Sequence, residues 1–551
     1  QKDVASLMRF GMVIMVIILL ANLRNFYAVG MVLSVILLSL LGMMGFMGWV
    51  VHFSGSPKFF FTLLNSSMPI VLLTIANSDG VHILTKFFRE FRKHKEVKKA
   101  VYSAMDALLL PIFLTSITTI AAFFTLIWTP LNPLTGYGLS IGFGIVWAWI
   151  LSSTFLPALI SLKTWDVNSK AVVNKSFLEN LIHWFGKHIL NHPRYILGAG
   201  LLIVLIGGWG VSKVKVDVNF KNFFKPGTEI RDSMDFIDNQ MSGSMNMVVR
   251  VESDIKQPEV LFTMEKIQAF VESDSNITTS ISIADVIKQM HRVVMNDDPK
   301  FETIPESREK VNNLFTMYSL SGDPDDFNSL VDYDYEVGII NSMMRSVSTD
   351  QIFDFVQRTE KFIDENIDDN INLTITGMLA VFRDLVILIV KSSIINITSA
   401  IFIIFIIAWL FFKSPVWAVL SIIPLTSAVI LNFGFMGIFG IELSHITAIL
   451  SSIIIGVGVD FAIHYIAQFR NYSKNGIGLD NLSKEVLDDV GYPIILDAGS
   501  NMAFGALLLS SFIPVQYIGG LMVFAMFSTS IGTLTLLAAL AEIFKKYLYA
   551  R

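Results

Sequence analysis

The sequence predicts a polytopic α-helical membrane protein of two five- and six-helix pseudo-repeats, with a polar α/β domain set into the second. Three observations carry that prediction. Charged residues are 16% of the 551-residue chain, well below the roughly 25% usual in soluble domains, and mean hydropathy is +0.60. Apolar runs of spanning length recur eleven times, each near the ~20 residues that a bilayer requires. One long polar stretch, residues 213–385, interrupts them.

The runs fall near residues 7–23, 28–52, 62–84, 107–128, 137–162, 194–212, 386–411, 416–438, 445–467, 492–512 and 517–543. Several contain Gly or Pro, which membrane helices accept where neighbours satisfy the freed backbone groups. They divide the chain into a first membrane repeat (1–162), a linker (163–193), a single helix (194–212), the polar domain (213–385) and a second membrane repeat (386–551). Lys86, Arg89, Arg92, Lys93, Lys95, Lys98 and Lys99 crowd the loop over 85–106, whereas Lys58 stands almost alone on the opposite short loops. By the positive-inside bias that loop, the linker and the C-terminus are cytoplasmic. The domain over 213–385 is then outside the inner membrane, which in a Gram-negative bacterium is the periplasm.

Within the polar domain, Met245–Ser253, Ile277–Ile283, 337–346 and 371–377 read as strands, and Pro258–Ser273, Ala284–Val294 and 350–366 as helices. Strand–helix–strand recurring twice predicts two ferredoxin-like or split βαβ units. The acidic, Asn-rich 296–332 reads as loop and short helix.

An internal repeat spans the membrane part. GFMG stands at Gly45–Gly48 and again at Gly434–Gly437, and PIFLTSITTIAAF from Pro111 parallels PIILDAGSNMAFG from Pro493. Asp79 and Arg89 parallel Asp460 and Arg470, ten residues apart in each copy. The second copy is preceded by a helix and the outside domain, so symmetry predicts a like helix and domain ahead of Gln1. Repeats of this kind place a coupling site at the interface between halves, near the midplane.

Asp79 and Asp460 each sit alone in an apolar run. A carboxylate in hydrocarbon is unfavourable by roughly 2.5–3.5 kcal/mol on insertion scales, so its default reading is functional. Desolvation favours the neutral form of such an acid, which suits proton uptake and release; the bland alternative is a structural acid bonded to Ser or Thr. His82 and His464 follow their acids at three and four residues, spacings that share a helix face and suit a proton relay or a simply hydrogen-bonded ring. Asp497, Asn501, Thr118 and Thr119, with Thr115 in the place of Asp497, lie on the Pro-started helices and suit tuning of the central acids or interhelical hydrogen bonding. Gly45, Gly48, Gly434, Gly437, Gly456 and Gly458 suit close helix packing. The basic run from Arg89 to Lys99 suits an amphipathic helix on an anionic leaflet, or a solvated charged helix.

Several function classes are excluded or disfavoured. A net charge of −5 offers no basic face for nucleic acid, and the absence of cysteine removes disulfides and thiolate metal sites. Two lone histidines on separate helices make no metal set, and no Gly-rich Lys-Ser/Thr phosphate loop is present. No cofactor is expected. An intramembrane aspartyl protease also needs two membrane acids, but Val459 separates Gly458 from Asp460, breaking that class's GxGD pattern.

At GVGVDFAIH (456–464), SDGVHIL (78–84), the Pro-initiated helices at 111 and 493, and the order helix, outside domain, five helices, the chain resembles the resistance–nodulation–division (RND) superfamily. The resemblance is to its MMPL, Patched-like and hopanoid-exporter branch. It implies an RND-type fold of twelve helices, with the first repeat here supplying helices 2–6, residues 194–212 helix 7, and 386–551 helices 8–12. It implies that 213–385 is a periplasmic porter-like domain. The implied activity is proton-driven export of lipids or other hydrophobic molecules by a multi-pass protein of the bacterial inner membrane, not an enzyme. The implied partners are the bilayer, protons, a hydrophobic substrate, and further copies of the chain or periplasmic proteins. An accessory role in protein translocation or envelope assembly is the alternative. Members often carry Asp–Tyr in both central helices; here Gly80 follows Asp79 and Phe461 follows Asp460.

Overall fold

The structure, a computed structural model, describes residues 2–62, 64–166, 186, 188–368 and 370–549. Residues 167–185 and 187, most of the linker expected over 163–193, lie outside the described residues. The chain forms two units: Gln1–Lys215 with Leu388–Arg551, and Val216–Ile387.

The first unit is helical. Its first half holds α1 (Lys2–Leu23), α2 (Phe26–Ser54), α3 (Met68–His94), α4 (Val97–Phe124), α5 (Asn132–Ser153) and α6 (Phe155–Leu162), followed by α7 (Pro193–Val211). Asn25 starts α2 by accepting from the N–H groups of Tyr27 and Ala28, and Gly55 ends it at φ +60°, a left-handed turn that glycine adopts without strain. Ten described helices are long and apolar enough to cross a membrane, and α1 adds the shorter apolar stretch Met8–Ala21. Burial sorts them: the apolar window of the span Thr447–Lys474 is 100% buried and that of Pro193–Val211 only 11%. The helices bearing Asp79 and Asp460 are therefore central, with the others around them.

Glycine spacing fixes one helix crossing. Side chains added at Gly207 and Gly210 of α7 would meet backbone at Ile430–Leu431 and Gly434, and Gly437 faces the backbone of Gly210. Main chains approach this closely only where both sides lack Cβ atoms. Gly45 and Gly48, expected to pack in the same way, are exposed, and a Cβ added at either meets no described atom within 4 Å. The repeat preserves the motif, but no described helix lies over its first copy. Gly456 faces Thr119 and Ala122, and Gly458 faces Thr529 and Leu425.

The second unit begins with α8 (Glu229–Gln240), then runs β1 (Met245–Glu252), α9 (Pro258–Glu272), β2 (Ile277–Ser282), α10 (Ile283–Val294), α11 (Arg308–Ser321), β3 (Val337–Met344), α12 (Thr349–Asn366) and β4 (Asn372–Thr376). The strands form one antiparallel sheet in the order β2-β3-β1-β4. The two strand–helix–strand segments thus interleave into a single ferredoxin-like sheet, not two separate units: β3 enters between β1 and β2. Val249 and Val251 of β1 and Leu261, Met264 and Ile267 of α9 are buried with Ile352, Phe355 and Val356 of α12. Phe270 and Phe362 stack at 4.0 Å, so α9 and α12 run side by side. Within the stretch read as loop and short helix, α11 is a 14-residue helix whose first turn is capped by Ser307. Its polar sequence hid it.

The second half of the membrane unit holds α13 (Met378–Phe412, whose start belongs to the second unit), α14 (Pro415–Phe439), α15 (Leu450–Lys474), α16 (Leu479–Asn501), α17 (Ile513–Gly532), α18 (Ala538–Ile543) and α19 (Lys545–Tyr549). Past Asn501 the chain tightens into a 3₁₀ segment, Met502–Leu509, and a π-helical turn, Thr533–Leu537, follows α17.

Candidate functional site

Four helices bring the polar residues together. α3 carries Asn77, Ser78, Asp79 and His82; α4 carries Thr115, Ser116, Thr118 and Thr119; α15 carries Asp460 and His464; α16 carries Asp497, Ser500 and Asn501. Each spacing keeps its side chains within about one turn of a common level.

Asp497 is the best-held acid. Ser78 Oγ donates to its Oδ2 at 2.8 Å, His82 Nε2 stands 3.5 Å from the same oxygen, and Asn501 Nδ2 reaches Oδ1 at 3.4 Å. Asn77 Nδ2 donates to Ser500 Oγ at 2.8 Å. Both α3–α16 hydrogen bonds join the first repeat to the second. Asp79 is held more loosely, by Ser116 Oγ at 3.4 Å. Asp460 is buried, close enough to Asp497 and Asp79 to feel both charges, with Thr119 at its edge. Its Oδ1 accepts no hydrogen bond from the described residues.

The other expected residues divide. Thr119 Oγ1 bridges α4 to α15 by donating to the Gly456 carbonyl at 2.7 Å. Thr118 instead returns its hydroxyl to the Leu114 and Thr115 carbonyls of its own helix, so it donates to no acid. The rings of His82 and His464 stack face to face across the repeats, 4.2 Å between centroids and 19° apart. Among the described residues no group of three or more His, Asp or Glu could hold a metal ion. A Cβ at position 80, where Gly80 follows Asp79, would press on Val32 of α2 at 3.2 Å.

Sequence reasoning missed the residues on the basic side of this cluster. A cavity of about 520 Å³ runs from Arg92, Ala107 and Asp488 inward to His82 and His464. In its wall Arg89 forms an ion pair with Asp489, which also accepts from Gln468 and from Tyr472 Oη at 2.9 Å. Arg89 is thus tied to another helix, which neither a leaflet-binding nor a freely solvated helix explains. Its partner lies 400 residues away in sequence, and the available clue was a second acid, Asp489, two turns ahead of Asp497. A separate cavity of about 720 Å³ is almost wholly apolar, walled by Ile17, Ile18, Leu496, Ala498, Gly499 and Phe527.

The sequence profile of the MMPL family matches residues 1–195 and 237–547. A Methanocaldococcus jannaschii protein, MJ1562, named as a membrane protein, is 21% identical over 377 residues, which is 65% of this chain and 92% of that one. The solved structure of Disp, the hedgehog release protein of the water bear Hypsibius dujardini, superposes with a TM-score of 0.66 at 13% identity, covering 98% of this chain and 70% of that chain. At that identity the likeness is one of fold.

Proposed function

This chain belongs to the MMPL family of RND-type membrane transporters, and from that premise we propose that it is a proton-driven exporter of lipids or other hydrophobic molecules. The reading places it in the bacterial inner membrane, with the α/β unit on the periplasmic side. The observation that carries it is the meeting of Asp79, Asp460 and Asp497, from both repeats, in one cluster where Asp460 and Asp497 are buried and Asp79 is half-buried. Carboxyls this close repel when charged and cease to when protonated. Proton binding therefore changes how strongly α3, α15 and α16 attract one another, the differential interaction a conformational cycle needs. Asp79 and Asp460 carry the coupled proton, with Asp497 setting their surroundings and the stacked His82 and His464 relaying it toward the basic face. Protonation relaxes the two halves, and the α/β unit passes substrate outward.

Support for a hydrophobic substrate comes from the apolar cavity, whose wall residues Leu496 and Ala498 flank Asp497 in sequence. Its volume falls within the roughly 300–1,000 Å³ of small-molecule sites. The test is purified protein in proteoliposomes under an imposed pH gradient, read with an internal pH dye and with mass spectrometry of copurified lipids. Wild type moves protons and carries a defined lipid. Asp79→Asn and Asp460→Asn each abolish flux while eluting as folded protein. Full activity in the double Asn variant overturns proton coupling.

A further inference from the structure

The membrane unit contains a second cross-repeat tie that plays no part in holding the acids. α3 and α16 are joined at the cluster by Ser78–Asp497 and again farther along by Arg89–Asp489. Arg89 lies eleven residues past Ser78, and Asp489 lies eight residues before Asp497, so the two ties stand about 12–17 Å apart along the helices. The cavity of about 520 Å³, which ends on the buried His82 and His464 and begins at the exposed Arg92, Ala107 and Asp488, has Arg89 and Asp489 in its wall.

We propose that the Arg89–Asp489 ion pair, in the wall of this vestibule, is its gate, holding α3 against α16 and so narrowing the route between the basic face and the stacked histidines. The chemistry favours a latch that can open. The Asp489 side chain is 7% exposed and that of Arg89 is 44% exposed. When α3 moves away from α16, the guanidinium is rehydrated at once. Asp489 keeps the hydrogen bonds from Gln468 and Tyr472, both on α15, so opening does not orphan a buried charge, the event that makes most buried pairs hard to break. The gate is single. Pro111 and Pro493 set an offset of 382, and 489 − 382 = 107, which is alanine. Arg470, the repeat counterpart of Arg89, lies over the Phe412 ring.

The vestibule's role as a proton route rests on the proton-coupling reading; the gate itself can be tested apart from it. The chain has no cysteine over these 551 residues, so Ala467→Cys, which lines the vestibule, supplies a single reporter within them. Its labelling by a membrane-impermeant maleimide, applied to each side, is measured with Arg89 intact, in Arg89→Gln, in Asp489→Asn, and in the charge-reversed Arg89→Asp/Asp489→Arg pair. Asn475→Cys, exposed at the end of α15, is the control. The expected result is a rate at position 467 that rises on the order of tenfold in each single variant, falls back in the reversed pair, and does not change at position 475. Equal labelling of position 467 in the intact protein and both single variants, all eluting as folded protein, overturns the gate. Failure of proton coupling would show separately, as undiminished flux in the Asp79→Asn/Asp460→Asn protein.

Discussion

The first membrane repeat contributes one acid to the cluster, Asp79, whose Ser116 donor stands at 3.4 Å. The second contributes two, Asp460 and Asp497, and Ser78 of the first repeat holds Asp497 at 2.8 Å. The glycine motif diverges as well. Gly434 and Gly437 meet the backbone of α7, while Gly45 and Gly48 meet nothing within 4 Å. Where the second repeat has Asp489 and Asp497, the first has Ala107 and Thr115. Duplication has kept the helical frame and the spacing of its landmarks, but the two copies now carry different polar equipment. They are complementary halves of one site, with the donor hydroxyls on one side and the extra carboxyls on the other.

The strongest way to break that comparison is to equalise the copies. Asp497→Thr, which gives the second repeat the residue of the first, should lower gradient-driven flux roughly 10- to 100-fold, because it removes the charge that sets the surroundings of Asp79 and Asp460. Adding Thr115→Asp to it should not restore flux; if it does, the halves are interchangeable. The glycines come next. Gly434→Val should destabilise the protein in detergent by about 1–3 kcal/mol through overpacking, whereas Gly45→Val should stay within about 0.5 kcal/mol of wild type. Equal losses in thermal unfolding would mean that both motifs are covered. A smaller contrast lies in the hydroxyls. Ser78→Ala should reduce flux by about tenfold, as expected for a short bond to an ionisable acceptor, and Ser116→Ala by less.

The α/β unit provides the smallest and most distinct test, because its acids face cations where those of the membrane cluster face one another. Burial alone would push the carboxyls of Asp238, Asp254 and Asp274 up. Hydrogen bonds from Ser244 and Lys221, from Arg308 and from Arg358 outweigh it and hold all three below the usual carboxylate range. A depressed folded pKa contributes stability that is present above the unfolded value, about 3.9, and is lost as pH falls through the folded value. Amide exchange in residues 245–376 should therefore quicken below about pH 4, and Arg308→Gln and Arg358→Gln should each blunt that change. The effect is modest, since these pairs are partly solvated.

Much of this was legible in the sequence because the signals were local. A lone acid in an apolar run marks Asp79 and Asp460 at once, and period-two alternation in MNMVVRVE marks β1. What stayed hidden depends on contacts between distant segments. Arg89 and Asp489 each look ordinary in their own loops, and only helix packing brings them together. Gly45 and Gly48 share the motif of Gly434 and Gly437 but not its cover among the described residues, because a motif records what a helix can accept, not what lies over it. The interleaving of β3 between β1 and β2 is likewise a matter of topology that composition does not carry.

The face-to-face imidazoles limit how the bundle can be electrified. Two cationic rings at 4.2 Å would repel by about 4 kcal/mol at an effective dielectric near 20. That is nearly a thousandfold weight against the stacked arrangement with both rings charged, so double charging and the α3–α15 contact are set against each other at this point.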